Sequence, residues 1–443
     1  MTIGIGLLGL GTVGAGVAQI LATPRGRHPL VGELALCRVA VRDLQRARPI
    51  ELPSDLLTTD AEAVVDDPAV EIVVEVMGGL EPARSLILRA IAAGKPVVTA
   101  NKAVIARYGE EIAAAAAARG VYVLIEAAVG GGIPIIEPLK QSLGANRISR
   151  VSGIINGTTN YILSRMADEG AAYTEVLADA QRLGYAEADP AADVQGGDAA
   201  DKIAILAALA YGGSITRSAI PTQGIDRLDA RDVAYADQLG YGVKLLAVAE
   251  QVATTAEGVA ELDVSVNPTL VPRDHPLAGV HGVNNAILVE GDPVGRVMFY
   301  GPGAGAGPTA SAVVADILNI AGIRQVSGLG TPEQPVPLDP LLAAGSWRPC
   351  RLVDSAQTRH RNYVRLRTSD QAGVIGRIGT CFGDAGVSLQ SIVQFQAPTD
   401  SEGGEAEIVV ITHEVQEACF RQAMAAIEAL PVVASVAACL RTL

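Results

Sequence analysis

Aromatic residues are scarce in this chain of 443 residues. Phenylalanine, tyrosine and tryptophan together make up 3% of it, so its core has to be built from aliphatic side chains. Charged residues amount to 19% and hydrophobic residues to 49%, which is typical of a globular protein rather than a disordered one. The length predicts two to four domains.

Basic residues are in deficit. The chain carries 34 Lys and Arg against 48 Asp and Glu, which gives a formal net charge of -14. An acidic surface repels phosphate backbones, so we expect no nucleic-acid partner. An anionic cofactor would have to be held by local hydrogen-bond donors.

The five cysteines are scattered, and none belongs to a C-x-x-C pair. This spacing predicts neither a disulfide framework nor a zinc site. Residues 2–8 are apolar, but no basic region precedes them, which argues against a signal peptide. No apolar run looks long and glycine-free enough to span a bilayer. We therefore predict a cytoplasmic protein with no membrane partner.

Strands and helices alternate at the start of the chain. This rhythm predicts an α/β fold with a Rossmann-like, doubly wound parallel sheet. The predicted strands cover residues 2–8, 34–42, 72–76, 95–99 and 121–126, and the predicted helices cover 13–22, 82–93 and 107–119.

The pattern changes after residue 147 and predicts an α+β domain. Its helices are expected at residues 158–168, 174–183, 197–211 and 231–250, and its strands at 148–155, 260–268, 285–290 and 295–301. A glycine-rich run at 301–307 then precedes a helix starting near Pro308, since proline suits a first helical turn. Residues 362–443 follow the order β-α-β-β-α-β, which predicts a ferredoxin-like unit.

A glycine-rich turn lies between the first strand and the first helix. Gly9 permits the tight turn, Gly11 lets the backbone approach a pyrophosphate, and Gly14 lets helix and strand pack closely. Free N–H groups at the start of the helix, at Thr12 and Val13, would then face the phosphates. The alternative is a glycine-rich turn with no ligand, but its position in a βαβ unit favours dinucleotide binding.

The end of the second strand bears on the choice of cofactor. Arg42 at its tip would suit a 2′-phosphate, which favours NADP(H) over NAD(H). The alternative is that Arg42 is solvated and Asp43 binds the ribose, as NAD(H) would require.

Two lysines are candidate catalytic residues. Asp198 and Lys202 are four residues apart and share one face of a helix, whereas Asp201 points elsewhere. A lysine near the buried end of a polar face can have a lowered pKa and exchange a proton with an alcohol. An ordinary surface ion pair would show the same spacing. Lys102 follows a strand of the nucleotide domain, where it could meet cofactor and substrate, or be merely solvated.

Together these motifs resemble homoserine dehydrogenase. The most specific part is the stretch 180–202, which matches the family signature at Ala180, Gly184, Asp189, Pro190, Asp193, Gly196, Asp198 and Lys202. The other matching segments are residues 9–17, 99–102, 126–134, 156–161 and 301–313.

The resemblance implies reversible, NAD(P)-dependent interconversion of L-homoserine and L-aspartate 4-semialdehyde, on the route to threonine, methionine and isoleucine. It implies that Lys202 is the general acid/base on the substrate oxygen and that Asp198 orients the substrate. Glu187 would bind the substrate amino group, and Asp193 would belong to the same network. Lys102 would contact the nicotinamide and the substrate.

The resemblance implies two further ligand contacts. Gly303 would contact the cofactor. A sodium ion would be held by the Glu126 carboxylate and the backbone carbonyls of Val129, Gly131 and Ile133. From the residues alone this segment is equally a flexible glycine turn, although the carbonyls that such a turn exposes can ligate a hard cation.

The C-terminal residues resemble an ACT domain, an amino-acid-binding regulatory module, through the stretch 370–375. Its helix N-terminus could receive a carboxylate, and the family implies threonine as the effector. Ala372 stands where many relatives have proline, and a dimerisation module without a ligand is the alternative. The family pairs through its middle domain, so we expect a homodimer or homotetramer.

These features divide the chain into four parts. Residues 1–130 form the dinucleotide-binding domain, with 301–328 packing back on it. Residues 131–300 form the catalytic and dimerisation domain, 329–361 a linker and 362–443 the ACT domain.

Two rival functions are weaker. A phosphorylating semialdehyde dehydrogenase needs a cysteine nucleophile, but Cys37 lies in a predicted strand and the other four cysteines lie beyond residue 349. A non-catalytic amino-acid sensor would have no use for Lys102, Glu187, Asp198 and Lys202 together.

Overall fold

The computed structural model describes residues 2–327, 338–343, 345–396 and 405–443. Its first part is a six-stranded parallel sheet flanked by helices. The strands are β1 (Ile3–Leu8), β2 (Leu34–Ala40), β3 (Leu57–Thr58), β4 (Ile72–Glu75), β5 (Val97–Thr99) and β6 (Val123–Leu124). The helices are α1 (Thr12–Ala22), α2 (Ala61–Asp66), α3 (Ala83–Ala92) and α4 (Lys102–Arg119).

The strand order is β3-β2-β1-β4-β5-β6, so it reverses between β1 and β4. In doubly wound sheets ligands bind at this switch point, beyond the carboxyl ends of the strands. Both central strands are buried along their whole length. This confirms the predicted Rossmann-like sheet and explains why its strands are continuous apolar runs.

One helix and one strand in this part of the chain have bounds that differ from the prediction. Helix α4 begins at Lys102 rather than at residue 107, because the Asn101 side chain accepts a hydrogen bond from Val104 N–H and caps the helix. Strand β6 is shorter than the predicted 121–126, because a 3₁₀ turn begins at Glu126. Lys102 therefore lies in the first turn of a helix, at the switch-point edge of the sheet.

The middle of the chain combines helices with antiparallel strands. The helices are α5 (Ile136–Lys140), α6 (Gly157–Glu169), α7 (Tyr173–Arg182), α8 (Ala191–Val194), α9 (Gly197–Tyr211) and α10 (Ala230–Gln238). The strands are β7 (Arg147–Ile154), β8 (Tyr241–Thr254), β9 (Ala260–Pro272), β10 (Asn284–Asp292) and β11 (Gly295–Pro302), and they pair in the order β11-β10-β7-β8-β9. Helix α9 packs against this sheet and carries Asp198 and Lys202.

The predicted helix 231–250 is wrong in its second half. Helix α10 ends at Gln238, and Gly240 adopts φ +88°, a left-handed conformation that stops the helix. The apolar residues that follow form β8, which is buried over much of its length. An apolar run of this kind fits a buried strand and a buried helix equally well by periodicity alone.

The chain then returns to the first sheet through α11 (Ala306–Ser327), which packs against α1. The helices approach so closely that a Cβ on Gly16 would lie 2.4 Å from the Ala306 carbonyl oxygen. The segment Ala306–Val326 is long and apolar enough to cross a membrane by length and composition, although it contains Gly307 and Gly322. Half of that segment is buried, and its apolar side chains belong to the core around β1, so we describe it as a core helix.

The last part of the chain contains β12 (Cys350–Leu352), β13 (Arg359–Ser369), α12 (Val374–Asp384), β14 (Leu389–Gln396), β15 (Glu405–Thr412), β16 (Val415–Gln416), α13 (Glu417–Glu428) and β17 (Val433–Thr442). Four strands pair antiparallel in the order β17-β13-β15-β14, and β17 joins β9 through a short parallel contact. Residues 328–337 and 344, which hold part of the predicted linker 329–361, lie outside the described residues.

Candidate active site

One carboxylate bridges two lysines that are far apart in the sequence. Lys202 Nζ donates to Asp198 Oδ2 at 2.7 Å, as the spacing of four residues on α9 predicts. The other oxygen, Asp198 Oδ1, lies 2.9 Å from Nζ of Lys102 at the start of α4. The candidate site therefore lies where the switch-point edge of the first sheet meets α9.

Burial decides between a catalytic pair and a surface ion pair. Asp198 is 8% exposed and Lys202 is 9% exposed, whereas surface ion pairs are largely solvated. Lys202 Nζ also donates to the Ile155 carbonyl at 2.6 Å. A lysine ammonium has three hydrogens, so these two bonds leave one position at Nζ for a further partner.

Asn156 is a site residue that the sequence analysis missed. Its Nδ2 donates to Asp198 Oδ2 at 2.8 Å and to Asp193 Oδ1 at 2.7 Å, so it joins the two carboxylates. Its Oδ1 accepts a hydrogen bond from Thr159 N–H and caps α6. An asparagine before a helix is explained by capping alone, so the local pattern held no signal of the second role.

The electrostatics follow from burial and from the shared carboxylate. Burial lowers the pKa of Lys202, the nearby charge of Lys102 lowers it further, and together they outweigh the attraction of Asp198. Burial alone would raise the pKa of Asp198, but the two lysines hold it below its usual range. The Asp198 carboxylate raises the pKa of Lys102, and burial raises that of Asp193. Lys202 is thus the lysine of this cluster that loses its proton more readily.

Buried polar residues at the ends of β4 and β5 position Lys102. Thr99 Oγ1 donates to Glu75 Oε2 at 2.6 Å and accepts from Asn101 N–H at 3.0 Å. Glu75 Oε1 also accepts from Met77 N–H at 2.8 Å. Because Asn101 caps α4, this chain of bonds fixes the first turn of the helix that carries Lys102. Glu75 is not among the site residues predicted from the sequence.

The glycine turn has the shape that a dinucleotide site requires. Gly9 adopts φ +104°, and a Cβ on Gly14 would lie 2.1 Å from the Gly9 carbonyl oxygen. Apart from Gly11 and its two chain neighbours, no atom of the described residues lies within 4 Å of the place where a Gly11 Cβ would be, so the space above the turn is open. No side chain caps α1, which leaves the N–H groups of its first turn for an anion.

Comparison with known proteins agrees with this arrangement. The family model described as "Homoserine dehydrogenase, NAD binding domain" matches residues 9–126, and the one described as "Homoserine dehydrogenase" matches residues 134–318. The homoserine dehydrogenase of Synechocystis sp. is 56% identical over 443 residues, which is 100% of both chains. The chain belongs to the homoserine dehydrogenase family.

Other members of the homoserine dehydrogenase family match nearly the whole chain. The Bacillus subtilis enzyme is 38% identical, with 98% of this chain and 96% of that protein covered. A crystal structure from Thiobacillus denitrificans has 43% identity and a TM-score of 0.89, and covers 100% of this chain and 98% of its own. The chain is therefore an oxidoreductase with a nicotinamide-dinucleotide-binding domain.

Three other residues of this homoserine dehydrogenase that were predicted to contact ligands lie outside the hydrogen-bonded cluster around Asp198. The Glu187 side chain is exposed, and its backbone carbonyl accepts from Gln181 Nε2 at 3.1 Å. Arg42 is exposed two residues beyond the end of β2. A Cβ on Gly303 would collide with Asn285, so this glycine permits close packing of the second glycine-rich segment. Their roles toward ligands stay predictions.

The predicted sodium segment is folded tightly around a buried carboxylate. Glu126 Oε1 accepts from Ile135 N–H at 2.7 Å and from Ile136 N–H at 3.0 Å, and Oε2 accepts from Glu137 N–H at 2.7 Å. Burial raises the pKa of Glu126, although these three donors oppose the shift. Within the described residues no cluster of three or more Asp, Glu, His and Cys is arranged to hold a metal ion, so a cation here would depend on carbonyl oxygens.

Proposed function

We propose that this homoserine dehydrogenase interconverts L-homoserine and L-aspartate 4-semialdehyde with Lys202 as the group that exchanges the substrate proton. The observation that carries the proposal is the buried carboxylate of Asp198 between Lys202 and Lys102. This arrangement places an amine of lowered pKa beside the point where a cofactor-binding sheet meets the middle of the chain.

In the oxidative direction Lys202 acts as a neutral amine. Its two hydrogens satisfy the Ile155 carbonyl and Asp198, and its lone pair accepts the proton of the substrate hydroxyl. The bound nicotinamide supplies the hydride acceptor for the carbon that bears this hydroxyl. In the reductive direction the Lys202 ammonium returns its third hydrogen to the carbonyl oxygen.

The neighbouring residues bind and orient. We assign Asp198 to holding both lysines and orienting the substrate, Lys102 to the nicotinamide and substrate, Asp193 to the substrate network, and Glu187 to the substrate amino group. In the alternative mechanism Lys202 only stabilises the alkoxide and a water carries the proton. Solvent isotope effects on turnover that persist unchanged in Lys202→Arg would favour the water.

The first test is activity itself. The purified chain should oxidise NADPH with aspartate semialdehyde and reduce NADP⁺ with homoserine. A non-catalytic amino-acid sensor would do neither, even if it bound the same ligands.

Glu187→Gln should raise the KM for homoserine more than it lowers kcat, because the residue is assigned to binding rather than to the proton transfer.

We propose NADP(H) as the preferred cofactor and NAD(H) as the weaker one. Arg42 supports this, because it is exposed near the end of β2 with its guanidinium free to approach a 2′-phosphate. An archaeal homoserine dehydrogenase solved in complex with NADPH is 29% identical, has a TM-score of 0.60 and covers 72% of this chain and 98% of its own. Arg42→Ala should raise the KM for NADPH and leave that for NADH unchanged, with exposed Arg25→Ala as the control. Equal rates with both cofactors would contradict the preference.

We propose a sodium ion at the Glu126 segment. Val129, Gly131 and Ile133 are buried, and none of their carbonyl oxygens accepts a hydrogen bond from another described residue. Buried carbonyls are normally paired, so three in one turn suit a hard cation. Glu126 Oε2 accepts one bond and has room for another. Thermal unfolding in sodium chloride and in choline chloride tests the site, and equal midpoints would count against it.

We propose that residues 362–443 form a ferredoxin-like ACT domain. The order β-α-β-β-α-β and the strand sequence β17-β13-β15-β14 support this assignment. We also propose domain boundaries at residues 130, 300 and 361 and a cytoplasmic location. We expect threonine to bind as an effector at the start of α12 and the protein to form a homodimer or homotetramer. Kinetics with threonine and light scattering of the purified protein test the effector and the assembly.

A further inference from the structure

A cleft of about 900 Å³ opens between α4 and α9, beside the segment that follows α9. Its volume is within the range of small-molecule sites, about 300–1,000 Å³. None of Lys102, Asp198 and Lys202 lines it, so it is separate from the active site. The function proposed above makes no use of it.

The floor of the cleft is apolar and its walls carry short side chains. The large apolar side chains of the lining are those of Ile105, Ile125, Ile205, Leu209 and Ile215. The α4 side contributes alanines, including Ala114 and Ala117, which are exposed. Alanine keeps the two helices from filling the space between them, so the cleft can accept an apolar group.

The rim of the cleft carries both signs of charge. Arg107 and Arg217 share one carboxylate, because Asp201 Oδ2 accepts from Arg107 at 3.1 Å and Oδ1 accepts from Arg217 at 2.6 Å. Two guanidinium groups against one carboxylate leave an excess positive charge, and the Arg107 side chain is 38% exposed. Glu110 is the acidic residue of the lining, and its Oε2 accepts from Ser214 Oγ at 3.2 Å.

A molecule that matches this lining has a carboxylate, an ammonium group and an apolar side chain. The carboxylate would pair with Arg107, the ammonium with Glu110, and the side chain would lie on the apolar floor. A simple anion would leave Glu110 without an ionic partner, and a neutral apolar compound would leave both charges desolvated.

The cleft is connected to the active site through the same two helices. Helices α4 and α9 are joined by two ion pairs, Lys102 with Asp198 at 2.9 Å and Arg107 with Asp201 at 3.1 Å. The first belongs to the active site and the second borders the cleft. A ligand that draws Arg107 away from Asp201 changes the contact between the helices and so the position of Lys102.

We propose that the α4–α9 cleft binds a large apolar amino acid and that its occupancy changes the affinity of the active site for homoserine. The proposed binding of the amino acid depends on the cleft alone. The proposed effect on homoserine affinity also rests on the proposed function, so binding and kinetics are measured separately.

Calorimetric titration of the full-length protein with L-leucine and L-phenylalanine tests the binding. We expect Glu110→Gln and Ala114→Leu to weaken it about tenfold or more, since the first removes a charged hydrogen bond and the second places a leucine side chain in the cleft. Glu111→Gln, a change on the exposed side of the same helix, should leave it unchanged. 4-Methylpentanoate and 3-methylbutylamine, which each lack one charge of leucine, should bind more weakly than leucine.

The kinetic arm follows the KM for homoserine with and without the amino acid. We expect a change of twofold or more that disappears in Ala114→Leu while its basal activity persists. Binding of equal strength in the wild type and in both cleft variants would overturn the proposal, because the amino acid would then lie elsewhere. Absence of binding heat with both amino acids at millimolar concentration would also overturn the proposal. This result would not count against the proposed dehydrogenase activity, which is assayed separately.

Discussion

Replacement of Lys202 by methionine is the most direct test of the proposed mechanism. Methionine has a similar length and no charge, so it removes the proton-exchanging amine and keeps most of the packing. Positioned acid–base groups contribute about a hundredfold to ten-thousandfold to rate, or about 2.7–5.4 kcal/mol of transition-state stabilisation. We expect kcat to fall by that amount in both directions of the reaction.

The structure also limits the effect of this change on stability. Lys202→Met leaves the Ile155 carbonyl without its donor, which costs about 1–3 kcal/mol for a buried acceptor. Asp198 keeps Lys102 at 2.9 Å and Asn156 at 2.8 Å, so the carboxylate does not become an unpaired buried charge. The variant should therefore fold, with a modestly lower denaturation midpoint.

Lys244→Met is the matched control. Lys244 is 4% exposed and its Nζ donates to the Val280 carbonyl at 2.6 Å, outside the active site. This control should lose about 1–3 kcal/mol of stability for the same reason and keep its turnover. Turnover should be followed by NADPH absorbance in both directions and stability by urea denaturation. If Lys202→Met retained turnover within about tenfold of the wild type, or if both variants lost activity equally, the acid–base role of Lys202 would be refuted.

Three further predictions follow from the same contacts. Lys102→Gln removes a charge that lowers the pKa of Lys202; since oxidation needs the neutral amine, the rising limb of kcat for homoserine oxidation should move to higher pH, and an unmoved limb would contradict this. Arg365→Met leaves Asp232 buried without an ion-pair partner, whereas Glu407 keeps Arg231 at 2.9 Å, so urea denaturation should show about 3–5 kcal/mol less stability, and a loss below 1 kcal/mol would contradict the pairing. Gly14→Ala places a Cβ 2.1 Å from the carbonyl oxygen that opens the turn, so NADPH affinity measured by fluorescence should fall at least tenfold, and unchanged affinity would contradict the packing role.

The sequence predicted those features that depend on local pattern. The parallel sheet and the turn from Gly9 to Gly14 follow from βαβ rhythm and glycine spacing, and the structure has both. The pairing of Asp198 with Lys202 follows from helical spacing. The family followed from the irregular stretch 180–202, because a long signature of fixed positions is far more specific than a glycine turn.

Features that depend on distant parts of the chain were not predictable in this way. The contact between Lys102 and Asp198 joins residues far apart in sequence, and no local period marks it. Asn156 entered the sequence analysis only within the matching segment 156–161, and its bonds to Asp193 and Asp198 are visible only in the structure. The helix predicted over 231–250 failed because tertiary burial, rather than periodicity, decides whether an apolar run becomes a strand.

The C-terminal residues are built into the enzyme rather than tethered to it. Arg365 is 1% exposed and pairs with Asp232 of α10 at 2.7 Å and with Glu407 of β15 at 2.8 Å. Tyr235 of α10 donates to Glu407 at 2.7 Å and stacks on Phe395 of β14, with ring centroids 4.1 Å apart. A buried ionic cluster tolerates little displacement, because each separated charge would be left desolvated. A shift of β13, β14 or β15 must therefore move α10, which gives any ligand of the C-terminal residues a physical route to the catalytic part of the chain.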